Sequence, residues 1–265
     1  MDLPNSAEKQ LGLAISALTT TKFEYLLYQW LSRCFEIDNT TMLAYFQTRV
    51  PEVLFTQALE KSVHAKLESD YVPAAYLLDP FHSLHVEEKP PGLYRLKDIA
   101  PDQFHRNEYH AAYYQRTSLV DEIAYIAYPA TGVSVHVCLG RDKTSLRRFS
   151  ARDLQKAARI APIVCGLIEQ RWSSLQSSGD YRDEDLAANL ISSMILEHGV
   201  CLSPRQAQIA LLILRGHSSV SIGLRLGISG QTVKVFRKQL YRKCGISSQA
   251  ELFSLLMPLL SVHVS

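Results

Sequence analysis

"LGISGQTVKVFRKQLYRKCG", residues 226–245, places five cationic side chains in the ten positions from Lys234 to Lys243 and contains no acid. Its punctuation is helical: Ser229 suits an N-cap, and Gly245 suits the residue that stops the helix after Lys243. Inside that helix Val233, Phe236 and Leu240 recur at three- and four-residue spacing and make a core-facing stripe. Gln231, Lys234, Lys238 and Arg242 then face outward, with Arg237 and Tyr241 more lateral. An ordinary solvated helix face mixes signs and gains i,i+4 pairs. A uniformly basic face repels itself, and a polyanion explains it best. Long cations beside an amide suit the major groove of double-stranded DNA, where Lys and Arg reach guanine acceptors and phosphates.

The flanks extend this reading. Ser203, Pro204 and Gln206 form a Ser-x-x-Gln capping box with proline at the first helical position, and Gly216 ends that helix. A shorter helix from Ser218 to Leu226 ends at Gly227. Two helices joined by a tight turn containing glycine make a helix-turn-helix. A fourth helix, Ser248 to Leu260, opens with a second capping box, Ser248 to Glu251. Its stripe of Leu252, Leu255, Leu256 and Leu259, widened by Phe253 and Leu260, exceeds what packing on the helix-turn-helix needs. Charge follows the same division. From Val200 to Ser265 there are eight Lys and Arg against the single acid Glu251, a balance of +7, whereas the whole chain carries only +2. Such asymmetry is the footprint of a nucleic-acid module joined to something that is not one.

Residues 202–256, "LSPRQAQIALLILRGHSSVSIGLRLGISGQTVKVFRKQLYRKCGISSQAELFSLL", resemble the DNA-binding domain of LuxR-type transcriptional regulators. The matching features are the Leu-Ser-x-Arg opening, Gly216, Ile222, "LGIS", "TVKVF", "LYRKCGI" and "AEL". The resemblance implies that Lys234, Val235 and Lys238 approach base edges while Gln231, Thr232 and Arg242 contact phosphates. It also implies that the fourth helix pairs two subunits, so that a homodimer reads a two-fold-related promoter site. Gln206, Gly223 and Cys244 stand where that family usually has Glu, Ala and Leu.

At 265 residues and 47% apolar content the chain is long enough for a sensor-sized unit and a small one. "SSLQSSGDYRDE", residues 173–184, has a linker composition, which divides the chain into 1–172, 173–184 and 185–265. Before the linker, helical periodicity marks "EKQLGLAISAL" and "KFEYLLYQWLSRCF". "TTMLAYFQ" and "EVLFTQ" read as strands, and 57–68, 72–87 and 101–115 read as helices. "DEIAYIAY" and "GVSVHVCLG" make a hairpin around "PATG". Val133, Val135, Val137 and Leu139 share one face of its second strand, and Ser134, His136 and Cys138 share the other, which is either wet or turned into a pocket. A long amphipathic helix capped by Ser150 follows. The expected fold is therefore α+β: an N-terminal α/β/α sandwich of PAS or GAF type with an antiparallel sheet, then an all-α four-helix C-terminal domain.

"DYVPAAYLLDPFHSLHVEEKPPGLYRL", residues 70–96, resembles the signal-binding domain of quorum-sensing LuxR proteins, in which a Tyr precedes an Asp-Pro pair and an aromatic follows. The resemblance implies a ligand site at Asp79, with Tyr71 or Tyr76 before it and Tyr94 after it. That family's Trp ahead of the Asp is missing here and Tyr94 stands in the place of another, so an acyl-homoserine lactone is not the favoured ligand. The plainer reading has Asp79 ending a helix before Pro80 and the tyrosines in the core.

Other chemistry is excluded on pattern. Five cysteines without a CxxC pair speak against a disulfide framework or zinc knuckle. His82 and His85 form HxxH with no third ligand in place, so no metal is expected. No GxGxxG, P-loop, GxSxG or HExxH motif points to an enzyme or a cofactor. No apolar run approaches the roughly 20 residues of a membrane span. "MDLPNSAEKQ" lacks a signal-peptide pattern, so a cytoplasmic location is expected. The function expected is a DNA-binding regulator whose N-terminal region senses a small molecule. The alternative is a ligand-free regulator whose N-terminal region dimerises or docks another protein.

Overall fold

The computed structural model describes residues 5–47, 49–177 and 183–261. In chain order its first elements are α1 (Asn5–Ser16), α2 (Phe23–Cys34), β1 (Asn39–Phe46), β2 (Glu52–Ala58), α3 (Pro80–Val86), β3 (Gly92–Arg95), α4 (Leu96–Ile99) and α5 (Glu108–Ala112). There follow β4 (Leu119–Ala130), β5 (Val133–Asp142), α6 (Ala151–Arg171), α7 (Asp183–His198), α8 (Pro204–Leu214), α9 (Ser219–Leu226), α10 (Gly230–Cys244) and α11 (Gln249–Ser261). They divide into two compact units. The first comprises Met1–Ala65, Glu87–Ile99 and Thr117–Gly179, and the second Lys66–Val86, Ala100–Arg116 and Asp180–Ser265.

The first unit is built on an antiparallel sheet of order β2-β1-β5-β4-β3. The β4–β5 hairpin lies where its alternation placed it, and Val133, Val135, Val137 and Leu139 pack on one face. On that face Phe23, Leu27, Trp30 and Leu31 of α2 meet Ile160, Val164 and Ile168 of α6 in one core. Ser150 caps α6 by accepting from the Asp153 amide at 3.1 Å, while the Asp153 carboxylate accepts from the Ser150 amide at 3.0 Å. Ser134 and His136 on the opposite face are fully buried and hydrogen-bonded to each other at 3.0 Å, with the Tyr45 ring 4.6 Å from the imidazole. That face is therefore not wet.

The helices expected at 57–68, 72–87 and 101–115, which fall partly in the first unit and partly in the second, are broken into short pieces. Residues 57 and 58 complete β2, and Lys61–His64, Leu67–Tyr71 and Ala75–Leu78 are short 3-10 or π turns before α3. Proline is the cause. Pro73 follows the turn ending at Tyr71, and Asp79, which precedes Pro80, is held extended at ψ 130°. The stretch 101–115 likewise resolves into Phe104–Arg106, α5 and Tyr114–Arg116. Of the linker 173–184, residues 178–182 lie outside the described residues, and α7 begins at Asp183.

Candidate nucleic-acid interface and a buried tyrosine cluster

The caps set the helix-turn-helix. The Ser203 hydroxyl accepts from the Gln206 amide at 3.2 Å and the Gln206 side chain accepts from the Ser203 amide at 3.0 Å, starting α8 behind Pro204. Removing that cap with Ser203→Ala is expected to lower stability by about 1 kcal/mol in chemical denaturation. The Ser218 and Ser229 hydroxyls start α9 and α10 by accepting from the Ser221 and Thr232 amides, without the reciprocal bond, and Gly227 and Gly245 end them in left-handed conformation at φ 65° and 68°. Gly223 is a close-approach position. A Cβ there would fall 2.6 Å from the Ile228 carbonyl oxygen, so α9 lies directly against the turn into α10. Gln206 has a second use, because its oxygen accepts from the Lys243 ammonium at 3.1 Å and so joins the start of α8 to the end of α10.

Val233 and Leu240 of α10 are buried with no exposed surface, and Phe236 is half-buried beside them. Gln231, Thr232, Lys234, Val235, Lys238 and Arg242 are all exposed. Two of the five cations are engaged by their own chain: Lys243 with Gln206, and Arg237, which donates to the Tyr241 hydroxyl at 3.1 Å and lies 5.1 Å from that ring. Among the described residues no ion pair holds Lys234, Lys238 or Arg242. An open groove of about 900 Å³ runs along this face, and its lining includes Lys234, Val235, Lys238, Gln239 and Arg242. Gln239, exposed and one turn beyond Val235, was not picked out from the sequence, although its i+4 spacing from Val235 puts it on the same side. A surface of this kind attracts a polyanion and offers Lys, Arg and an amide to base edges.

The second cluster surrounds Asp79, which is 4% exposed. Its carboxylate accepts from the Tyr71 hydroxyl at 2.7 Å and the Phe81 amide at 2.8 Å, and the Tyr109 and Tyr114 hydroxyls are also turned onto it. Burial raises its pKa from 3.8 to about 6, and these hydrogen bonds restrain the rise. Tyr76 is also buried, its ring 6.5 Å from Tyr71 and 4.8 Å from His82. Tyr94 belongs to the other unit, on β3, and donates to the Pro90 carbonyl at 2.7 Å. Sequence order could not reveal Tyr109 and Tyr114, which lie 30 or more residues from Asp79 and reach it only through the fold. Among the described residues no group of three or more His, Cys, Asp or Glu could hold a metal ion.

Residues 100–116 also touch the helix-turn-helix itself. The Gln103 amide donates to the Gly216 carbonyl at 2.9 Å, the Asn107 side chain to the Leu214 carbonyl at 3.1 Å, and the Ser218 amide to the Asp102 carboxylate at 2.9 Å. Arg215 donates to the Leu77 carbonyl at 3.2 Å. Gly216 has φ 92°, and a Cβ there would meet the Asn107 side-chain Nδ2 at 2.7 Å and the Phe104 backbone Cα at 2.9 Å, so this glycine allows its backbone to meet that of Phe104.

Residues 200–256 match the family model of bacterial regulatory proteins of the luxR family. An Aeromonas salmonicida protein described as an HTH-type transcriptional regulator in the exeN 3' region is 31% identical over 185 residues, which is 68% of this chain and 93% of that protein. The chain belongs to the luxR family. As a luxR-type protein it is a DNA-binding transcriptional regulator, and α8 to α11 are its helix-turn-helix domain. The N-terminal part shares its fold with the VqsR LBD domain from Pseudomonas aeruginosa, at 24% identity and TM-score 0.55 over 65% of this chain and 99% of that one. SdiA from Escherichia coli is 14% identical at TM-score 0.39, covering 94% of this chain and 97% of that one. Among the described residues no helix of this luxR-family chain is long and apolar enough to cross a membrane.

Proposed function

We propose that the chain binds promoter DNA as a cytoplasmic homodimer and that its N-terminal region, 1–172, senses a small molecule and passes the signal through 173–184 to the DNA-binding domain, 185–265. The observation that carries the DNA half of this reading is the acid-free, exposed face of α10. On it Lys234, Val235 and Lys238 read base edges, and Gln231, Thr232 and Arg242 hold phosphates. No catalytic step, cofactor or metal belongs to it. Duplexes selected by the full chain from a random pool should carry two half-sites related by a two-fold axis and spaced about one helical turn apart. Recovery of a single unpaired half-site would contradict the dimer.

For the signal, Tyr71, Tyr76 and Asp79 are the proposed contacts. One observation favours the ligand-free alternative, in which the N-terminal region serves dimerisation or docking: the Asp79 carboxylate is already satisfied by Tyr71 and the Phe81 amide, with Tyr109 and Tyr114 beside it. Thermal melting of the full chain against lactones and other small metabolites decides between them. A ligand at 100 times its dissociation constant stabilises by about 2.7 kcal/mol, whereas a flat panel supports the ligand-free reading.

A further inference from the structure

The N-terminal part of the chain is acidic except in one place. Residues 1–140 hold 11 Lys and Arg against 17 Asp and Glu, a balance of −6, whereas residues 141–159, "RDKTSLRRFSARDLQKAAR", hold seven against two. The stretch runs from the end of β5 through a loop into α6, all within the first unit. Arg141 is buried and pairs with Glu36 at 3.2 Å and Asp153 at 3.7 Å. The other six cations are Lys143, Arg147, Arg148, Arg152, Arg159, all exposed, and the half-buried Lys156. Arg147 pairs with Glu36 at 3.3 Å, and Lys156 donates to the Cys34 carbonyl at 3.2 Å. Among the described residues no ion pair or hydrogen bond holds the side chains of Lys143, Arg148, Arg152 or Arg159.

We propose that this loop and the first half of α6 form a second contact surface for the phosphate backbone of duplex DNA, one that binds without regard to sequence.

Two observations carry it. The loop is fixed from beneath by three buried carboxylates. Asp142 accepts from the Thr144 amide at 2.7 Å, Asp38 from the Asp142 amide at 2.9 Å and the Ser145 hydroxyl, and Asp121 from the Phe149 amide at 3.0 Å. None of these bonds uses a cation of the loop, and Asp121 takes its ion pair from Arg95 at 2.9 Å. A backbone already ordered loses little entropy when a partner arrives. The second observation is composition. Protein interfaces are centred on aromatic and apolar anchors, but Leu146, 73% exposed, is the one large apolar side chain open in this stretch. Four of the six surface cations are Arg, whose planar fork matches phosphate oxygens. Cations without an apolar centre gain affinity by releasing counterions, as phosphate contacts do. Duplex DNA is the polyanion that a luxR-family regulator meets. Such contacts add affinity and salt dependence, while the choice of sequence stays with base edges.

The test uses the full chain and a mixed-sequence duplex of about 60 base pairs, with affinity read by fluorescence anisotropy between about 50 and 200 mM salt. Replacing Arg148, Arg152 and Arg159 together by alanine should weaken binding about 10- to 100-fold and lower the salt slope by about 2–3, since each phosphate contact contributes about 0.9. All three are exposed, so the thermal melt should stay near that of the wild type. Lys9 on α1, Lys22 before α2 and Lys89 before β3 are exposed cations of the same unit. Their triple alanine variant removes equal charge and should keep affinity within about threefold, because separated surface charges are screened by salt. Equal losses from the two triple variants would reduce the effect to net charge and overturn the surface. An unchanged slope in the arginine variant would overturn it too, and so would a variant that loses only binding to polyglutamate, which would assign the surface to an acidic polypeptide. A wild type that binds no duplex at any salt would overturn the DNA-binding reading itself, a failure distinct from that of the surface.

Discussion

Replacing Lys234 and Lys238 together by alanine is expected to weaken binding to a selected operator by about 2–6 kcal/mol, since each well-placed base contact contributes roughly 1–3 kcal/mol. Both side chains are exposed on α10, and among the described residues neither joins an ion pair. Thermal stability should therefore stay within about 0.5 kcal/mol of the wild type, as for surface substitutions generally. Binding isotherms at several salt concentrations separate the two kinds of contact. Loss of a base contact lowers affinity for the operator more than for mixed-sequence duplex, whereas loss of a phosphate contact lowers both and reduces the salt slope by about 1 per residue. A double variant that keeps operator affinity would place the reading surface elsewhere on the domain.

The second large effect concerns Asp79 and pH. Its folded pKa is about 6 against 3.8 in an unfolded chain. Between those values the folded state holds a proton that the unfolded state has released, so stability falls as pH rises across that window. Above it the full cost of a buried carboxylate remains, about 3 kcal/mol at 1.36 kcal/mol per pH unit. Chemical denaturation of the wild type and Asp79→Asn at pH 4 and pH 7.5 isolates this contribution, because the amide that replaces the carboxyl group has no proton to release. The wild type should lose roughly 2–3 kcal/mol relative to the variant between the two pH values. Parallel curves would mean that the carboxylate is hydrated or paired with a cation when folded.

The sequence revealed most where structure is local. The starts at Ser203, Ser218 and Ser229 and the stops at Gly227 and Gly245 depend on hydrogen bonds within a few residues, and all are where spacing placed them. The β4–β5 hairpin and its buried valine face follow from two-residue alternation in the same way. Legibility failed between Lys61 and Arg116. There prolines cut the periodic pattern into single turns, and those turns are held by partners far along the chain. Asp79 was singled out only by the resemblance of its Tyr and Asp-Pro stretch, and Tyr109 and Tyr114 lie on a later segment that nothing in the local pattern ties to it. Asp102 was invisible for the same reason, since its partner Ser218 is 116 residues away.

The second unit is assembled from three separated pieces of chain, 66–86, 100–116 and 180–265. Ribosomes add roughly 5–20 residues per second, so the tyrosine-bearing pieces emerge on the order of 5–20 s before Leu214 and Gly216 are made. Through that interval Phe104 and Tyr109, each at most 1% exposed in the finished protein, lack later partners: Gly216, which lies against the Phe104 backbone, and α11, which packs against the α5 helix that carries Tyr109. A nascent chain of this protein thus passes through a stage rich in uncovered aromatic rings, and it is then, before any operator or signal is met, that chaperones and proteases find it most vulnerable.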